Sequence, residues 1–132
     1  MSSSAASNKH LVLEAFDRLF NKRDYGAIEC WADRYLQHSA LIAPGRDGIL
    51  ERAKSLPDSA RYENQFAIAE GDYVVLSGRF SGIRADAMVT INVVRVENGK
   101  LAEHWDVWEK EATRAESASG LPMFGDHFPD ER

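Results

Sequence analysis

The stretch Thr90-Ile91-Asn92-Val93-Val94-Arg95-Val96-Glu97-Asn98-Gly99-Lys100-Leu101-Ala102-Glu103-His104-Trp105-Asp106-Val107-Trp108 decides the fold. Apolar and polar residues alternate on both sides of Asn98-Gly99, as in two half-buried strands joined by a hairpin turn. Which side chains share a face depends on that turn. A two-residue turn pairs Val96 with Leu101 and puts Asn92 on the face of Glu103 and Trp105. A type I turn with a bulge at Gly99 adds one residue and exchanges the faces. We prefer the bulged form, in which Asn92 stands opposite His104, and Thr90 opposite Asp106. It gathers Thr90, Asn92, His104 and Asp106 on one face, a polar-tipped pocket lining. Ile91, Val93, Trp105 and Val107 then form an apolar face that needs a cover, for which a second subunit is the natural candidate.

Upstream of this hairpin the period of two continues. Tyr62, Phe66 and Ile68 alternate with polar partners up to Glu70, Gly71-Asp72 makes a turn, and Tyr73 to Ser81 is a further strand. Before Pro57 the period is helical. Leu11, Val12, Ala15, Phe16, Leu19 and Phe20 mark one wide apolar stripe. Asp24 is a candidate cap for a short second helix carrying Ala27, Ile28, Cys30 and Trp31. Tyr35 to Ile42 reads as extended, and Asp47 as the cap of a third helix ended by Pro57. Helices first and strands afterwards mean α+β. The expected architecture is a cone: a curved antiparallel sheet with N-terminal helices packed over one face and a cavity at the open end. Residues 1–8 are expected to be a disordered arm, 9–124 the domain and 125–132 a C-terminal tail.

Composition narrows the function classes. The chain has 132 residues and a formal net charge of −5. An acidic balance argues against a nucleic-acid partner and against a polybasic membrane patch. No run is apolar enough to span a bilayer, so a cytoplasmic location is the default expectation. Cys30 is the single cysteine, which rules out an intrachain disulfide. No phosphate-cradling loop or tightly spaced metal-ligand motif is present, so neither cofactor nor metal is expected.

Asp106 is the leading catalytic candidate, since a carboxylate in an apolar pocket can serve as general acid or base. His38 could shuttle a proton or hydrogen-bond an enolate oxygen. His104 beside Asn92 could hold a carbonyl and its developing oxyanion. Thr90, Tyr35 and Trp108 are candidate ligand contacts, although Tyr35 and Trp108 also suit a core. Two histidines with Asp106 raise a metal alternative, which lacks the spacing of a known signature. Glu63, Gln65, Arg79 and Arg84 are expected to be solvated.

Three segments carry a family resemblance: Tyr35-Leu36-Gln37-His38-Ser39 with Pro44-Gly45-Arg46-Asp47-Gly48; Arg95 to Val107; and Glu116-Ser117-Ala118-Ser119-Gly120-Leu121-Pro122-Met123-Phe124. In this order they resemble SnoaL-like polyketide cyclase relatives, over about Lys9 to Phe124. The resemblance implies a nuclear-transport-factor-two-like cone, commonly dimeric. It also implies an intramolecular aldol ring closure without metal or organic cofactor, run by an acidic pocket residue. Relatives often carry Asp where this chain has Asn92, and Asn does not exchange a proton at neutral pH. The expected function is therefore acid/base chemistry beside the carbonyl of a small, mostly apolar ligand, with Asp106 as base and His38, Asn92 and His104 around the carbonyl. A binding protein without turnover and an epoxide hydrolase of the same fold are the alternatives.

Overall fold

The structure is a computed structural model and describes residues 4–131. Its first helix, α1 (Ala5–Phe16), begins within the expected arm. Two local interactions explain the early start. The Ser4 hydroxyl caps it by accepting from the Ser7 N–H at 3.1 Å. Buried Asn8 donates from Nδ2 to the Gly71 carbonyl at 3.3 Å. The rest of that arm, residues 1–3, lies outside the described residues. Helix α1 runs into a π turn, Asp17–Asn21, and keeps Val12, Ala15, Phe16, Leu19 and Phe20 inside.

Asp24 caps a short 3-10 helix, Tyr25–Cys30, through Gly26 N–H. Trp31 leaves that helix and opens β1 (Trp31–Gln37). Helix α2 (Gly45–Ser55) is entered at Pro44, with Asp47 in its first turn instead of at its cap. Gly48 is required there, because a Cβ would lie 1.9 Å from the Ala43 carbonyl oxygen. Four strands follow: β2 (Arg61–Glu70), β3 (Tyr73–Ser81), β4 (Met88–Glu97) and β5 (Lys100–Lys110).

The sheet order is β1-β5-β4-β3-β2. Strands β2 to β5 form the antiparallel meander, but β1 lies parallel to β5, so the sheet is mixed and not wholly antiparallel. Helix α2 carries the chain from β1 at one edge to β2 at the other, and the meander then runs back until β5 pairs with β1. Register breaks in β1, β2 and β5 bend the sheet into a cone around the helices.

The hairpin corrects the expected turn. Glu97 pairs with Lys100 and Val96 with Leu101, so the turn is the two-residue form, with Asn98 and Gly99 both at positive φ. The extra residue sits at Ala102 in β5, after which Val94 pairs with His104, Asn92 with Asp106 and Thr90 with Trp108. Asn92 is therefore opposite Asp106 and not His104, yet the expected faces survive. A similar bulge at Gln65 turns Phe66 and Ile68 to the outer face, away from inward Tyr62.

Residues after β5 pack instead of trailing. Arg79, expected to be solvated, is 1% exposed and forms a two-pronged pair with buried Glu111. Phe124 covers that guanidinium with its ring centroid 4.1 Å away. Gly125 N–H donates to Gln65 Oε1, and Phe128 is buried. The described part of the expected tail, residues 125–131, thus belongs to the folded body. Among the described residues no helix is long and apolar enough to cross a membrane.

Candidate functional site

The inner face of the sheet holds two rows that matter. Ala67, Leu76, Asn92 and Asp106 form one across four strands. Ala69, Val74, Val94, His104 and Gln37 form the next. Above them stands an aromatic chain. Phe16 meets Tyr62 edge-on at 5.5 Å, Tyr62 meets Phe80 at 4.8 Å, and Phe80 stacks on Trp108 at 4.8 Å. Between the rows and the rings lies a cavity lined by Trp31, Tyr35, Asn92, His104, Asp106 and Trp108, among others. Its free space is about 20 Å³, room for about one water molecule. Asp106 and Trp108 also line an outer vestibule of about 270 Å³ with Ala40, Leu41 and Arg84. They therefore form the wall between the two spaces.

The buried polar groups form one network. His104 Nε2 lies 2.8 Å from Asn92 Oδ1, and Nδ1 lies 2.6 Å from Gln37 Oε1. Burial drives the imidazole pKa down to about 4; Asp106, 3.9 Å away, acts in the opposite direction, and His38 adds a little to the lowering. The ring is then neutral at pH 7 and carries one proton, so it can donate to only one of the two oxygens. Gln37 Oε1 also accepts the Ser39 N–H at 2.9 Å, which fixes that amide's orientation. Among the described residues the Asn92 side chain hydrogen-bonds, beyond His104, to the Thr90 hydroxyl alone, at 3.2 Å, and a hydroxyl serves as donor or acceptor. The consistent neutral arrangement has Nδ1–H donating to Gln37 and the Asn92 amide turned to donate to Nε2. Both histidine nitrogens are then committed inside the protein, and His104 acts by positioning Asn92.

Two donors are left over. Among the described residues Trp31 Nε1 and Gln37 Nε2 are buried with no well-aligned hydrogen-bond partner, although both lie close enough to the Tyr35 phenol to act on its proton. Trp31, Tyr35 and Gln37 alternate along β1. Burial pushes the Tyr35 phenol up, and the neighbouring Trp31 and Gln37 donors work against that rise. A buried donor without a good acceptor is costly, and at Trp31, which lines the cavity, a ligand or water oxygen would satisfy it. Trp31 and Gln37 were not among the expected site residues; their period-two spacing with Tyr35 was the available signal. Asp106 supplies the complementary acceptor, taking the Trp108 indole N–H on Oδ2 at 2.9 Å.

His38 does not join the site. It follows the last residue of β1, and its ring lies on the outer side, stacked on Trp105 at 4.8 Å. Its Nε2 faces Glu103 Oε2 at 2.7 Å. Thr90 reaches the site only through Asn92. The metal alternative loses its geometry as well, since His38 and His104 do not converge; no group of three potential ligands gathers among the described residues.

The sequence profile of the SnoaL-like domain matches residues 12–104. The chain belongs to the SnoaL-like domain family, and its fold is nuclear-transport-factor-two-like. Among solved structures it is similar to a ketosteroid isomerase candidate from Kribbella flavida, at 18% identity and TM-score 0.75, covering 94% of this chain and 96% of that one. It is also similar to a polyketide cyclase candidate from Bacillus cereus, at 20% identity and TM-score 0.67, covering 80% and 76%. A third is AclR, a hydroxylase candidate from Streptomyces galilaeus, at 23% identity and TM-score 0.65, covering 80% and 91%. These likenesses establish the fold. Among curated proteins none matches in sequence.

Proposed function

We propose that the chain is a cofactor-independent enzyme that moves a proton beside the carbonyl of a small, mostly apolar ligand. The observation that carries this reading is the juxtaposition, around one buried cavity, of a single carboxylate, Asp106, with the Trp31 indole N–H and the Tyr35 phenol. Asp106 takes the proton from the carbon next to the carbonyl. The C–H electron pair moves into an enolate, whose oxygen is held by N–H and O–H donors on β1. The enolate carbon then attacks a second carbonyl, or is reprotonated at another position, and Asp106 returns its proton. No oxidant or reductant is required. Asn92, placed by His104, shapes the same wall. Family membership supports an enzyme of this general kind, and the fold neighbours include cyclase and isomerase candidates. Asp106→Asn keeps size and hydrogen bonding. It should lower turnover about a hundred- to ten-thousand-fold on a panel of β-keto esters and ring-closable polyketide mimics, with the fold intact. A folded, fully active variant would remove Asp106 from the mechanism.

A second reading is a binding protein without turnover. Asn92 favours it, because relatives often carry Asp at that position and here the amide is spent on Thr90 and His104. Tight binding across the panel with no product is its signature.

We further propose that a second copy of this chain covers the outer sheet face. Phe66, Ser77, Ile91 and Val107 form one row and Ile68, Val75, Val93 and Trp105 the next, with no charge in either. Ile68 and Val107 are 59% and 67% exposed, an apolar face unusual on a monomer. The adjoining row carries Arg95 and Glu103, so both signs are present for a self-complementary contact.

A further inference from the structure

The mouth of the cavity carries two arginines that the mechanism above does not use. Arg52 projects from α2 and lines the inner cavity. Arg84 lies in the loop between β3 and β4 and lines the vestibule. Both guanidiniums approach Trp108, with Cζ 5.9 and 5.7 Å from the ring centroid, while Phe80 stacks on that ring. Among the described residues neither guanidinium donates a hydrogen bond or forms an ion pair. Most other arginines here are paired: Arg18 with Asp24, Arg46 with Asp33, Arg79 with Glu111, Arg95 with Glu103 and Arg114 with Glu131.

Holding two like charges near one indole is unfavourable. Burial lowers the Arg52 pKa first, Arg84 lowers it further, and Asp106 offsets part of this. Asp106 is the carboxylate lining the same opening, and its Oδ2 already accepts from Trp108. Two cations thus face one partly engaged anion, on a chain whose net charge is −5. A guanidinium fork matches a carboxylate, and a local positive mouth on an acidic protein draws anions to one place.

We propose that Arg52 and Arg84 form a carboxylate-binding site at the mouth. The ligand is an amphiphile: its carboxylate lies by the two guanidiniums and its apolar, carbonyl-bearing end enters toward Asp106. This rests on reading the cavity as a carbonyl site, and it names the substrate class as keto acids in place of wholly apolar ketones. The vestibule, about 270 Å³, is where the charged end stays in contact with water.

The test is calorimetric titration with 3-benzoylpropionate and with its primary amide, which keeps the ketone and the ring and removes the charge. Wild type should bind the acid about tenfold tighter than the amide, or more. The Arg52→Gln/Arg84→Gln double variant should bind both equally, at the wild-type amide affinity. Arg84 is exposed, so Arg84→Gln alone tests the idea if the double variant does not fold; it should weaken only the acid, severalfold. Equal binding of acid and amide by wild type overturns the anion site and leaves the carbonyl reading standing. An acid preference that survives both substitutions overturns it too. Binding of neither probe overturns both proposals.

Discussion

Trp108 donates its indole N–H to Oδ2 of Asp106 at 2.9 Å, so the ring that closes the cavity is tied to the carboxylate inside it. Trp108→Phe keeps an aromatic ring against Phe80 and removes the tie. A hydrogen bond to a charged group is worth about 1.5–3 kcal/mol, and the variant should lose about that much stability in urea denaturation. In an Asp106→Asn background the same substitution should cost clearly less. Equal costs in both backgrounds would show that the bond carries no energy of its own.

His104 gives a pH signature. Burial pushes its imidazole down to about 4 in the folded chain, against about 6.5 for an ordinary histidine, so between those values the unfolded state binds the extra proton. Stability is then full above pH 6.5 and falls as pH drops toward 4, by about 3 kcal/mol for this group. Carboxylates held low, such as Glu103, which bonds to His38 and Arg95, lose their contribution only at more acidic pH. Chemical denaturation from pH 7.5 to 5 should show the decline in wild type and a flatter curve in His104→Gln. Superimposable slopes would mean that the ring is not held neutral.

These side chains show how much of the site was legible in the sequence. Alternation around Asn98-Gly99 places Thr90, Asn92, His104 and Asp106 on one face under either one-residue displacement. The sequence reading put that residue in the turn, whereas the chain puts it at Ala102. Both choices restore the same faces, so the grouping was recoverable and the pairing was not. Asn-Gly satisfies a two-residue turn by itself, and nothing local marks Ala102 as a bulge. The Gln65 bulge misled the reading of Phe66 and Ile68 in the same way. His38 was misplaced for a different reason. Tyr35 and Gln37 face inward, and the strand's period of two turns His38 outward onto Trp105, so His38 and Tyr35 could not share a face. The region after Lys110 has no period, because single residues such as Glu111, Phe124 and Phe128 hold it.

The Arg79–Glu111 pair joins that region to the sheet. Both side chains are almost fully buried, so removing Glu111 leaves the Arg79 charge with only the more distant Glu63 carboxylate, at 3.9 Å. Glu111→Gln should cost about 3–5 kcal/mol, read from the denaturation midpoint. Phe124→Ala, which removes the ring over Arg79, should cost less, with about 1–2 kcal/mol from the cation–π contact. A Glu111→Gln variant as stable as wild type would mean that the pair is dispensable.

The outer face can be tested without a ligand. Wild type should sediment at twice the chain mass of 14.8 kDa at micromolar concentration, and Val107→Lys or Ile68→Lys should sediment as a monomer with an unchanged circular dichroism spectrum. A monomeric wild type would dismiss the second copy as the cover. A dimeric double-lysine variant would move the interface elsewhere.

The parallel contact between β1 and β5 has a consequence for how the molecule is made. Trp31 lies beside Leu101, and Gln37 beside His104, so the edge strand waits for the last strand before it has a neighbour. Pairings between distant parts of a chain slow folding, and synthesis runs from the N-terminus. While the ribosome is still adding β2 to β4, the apolar residues of α1 and β1 have helical neighbours but no complete sheet to sit on. The floor of the cavity can close only when residues around His104 have emerged. A chain truncated within β5 should therefore collapse without a functional chamber, its edge strand left without a partner.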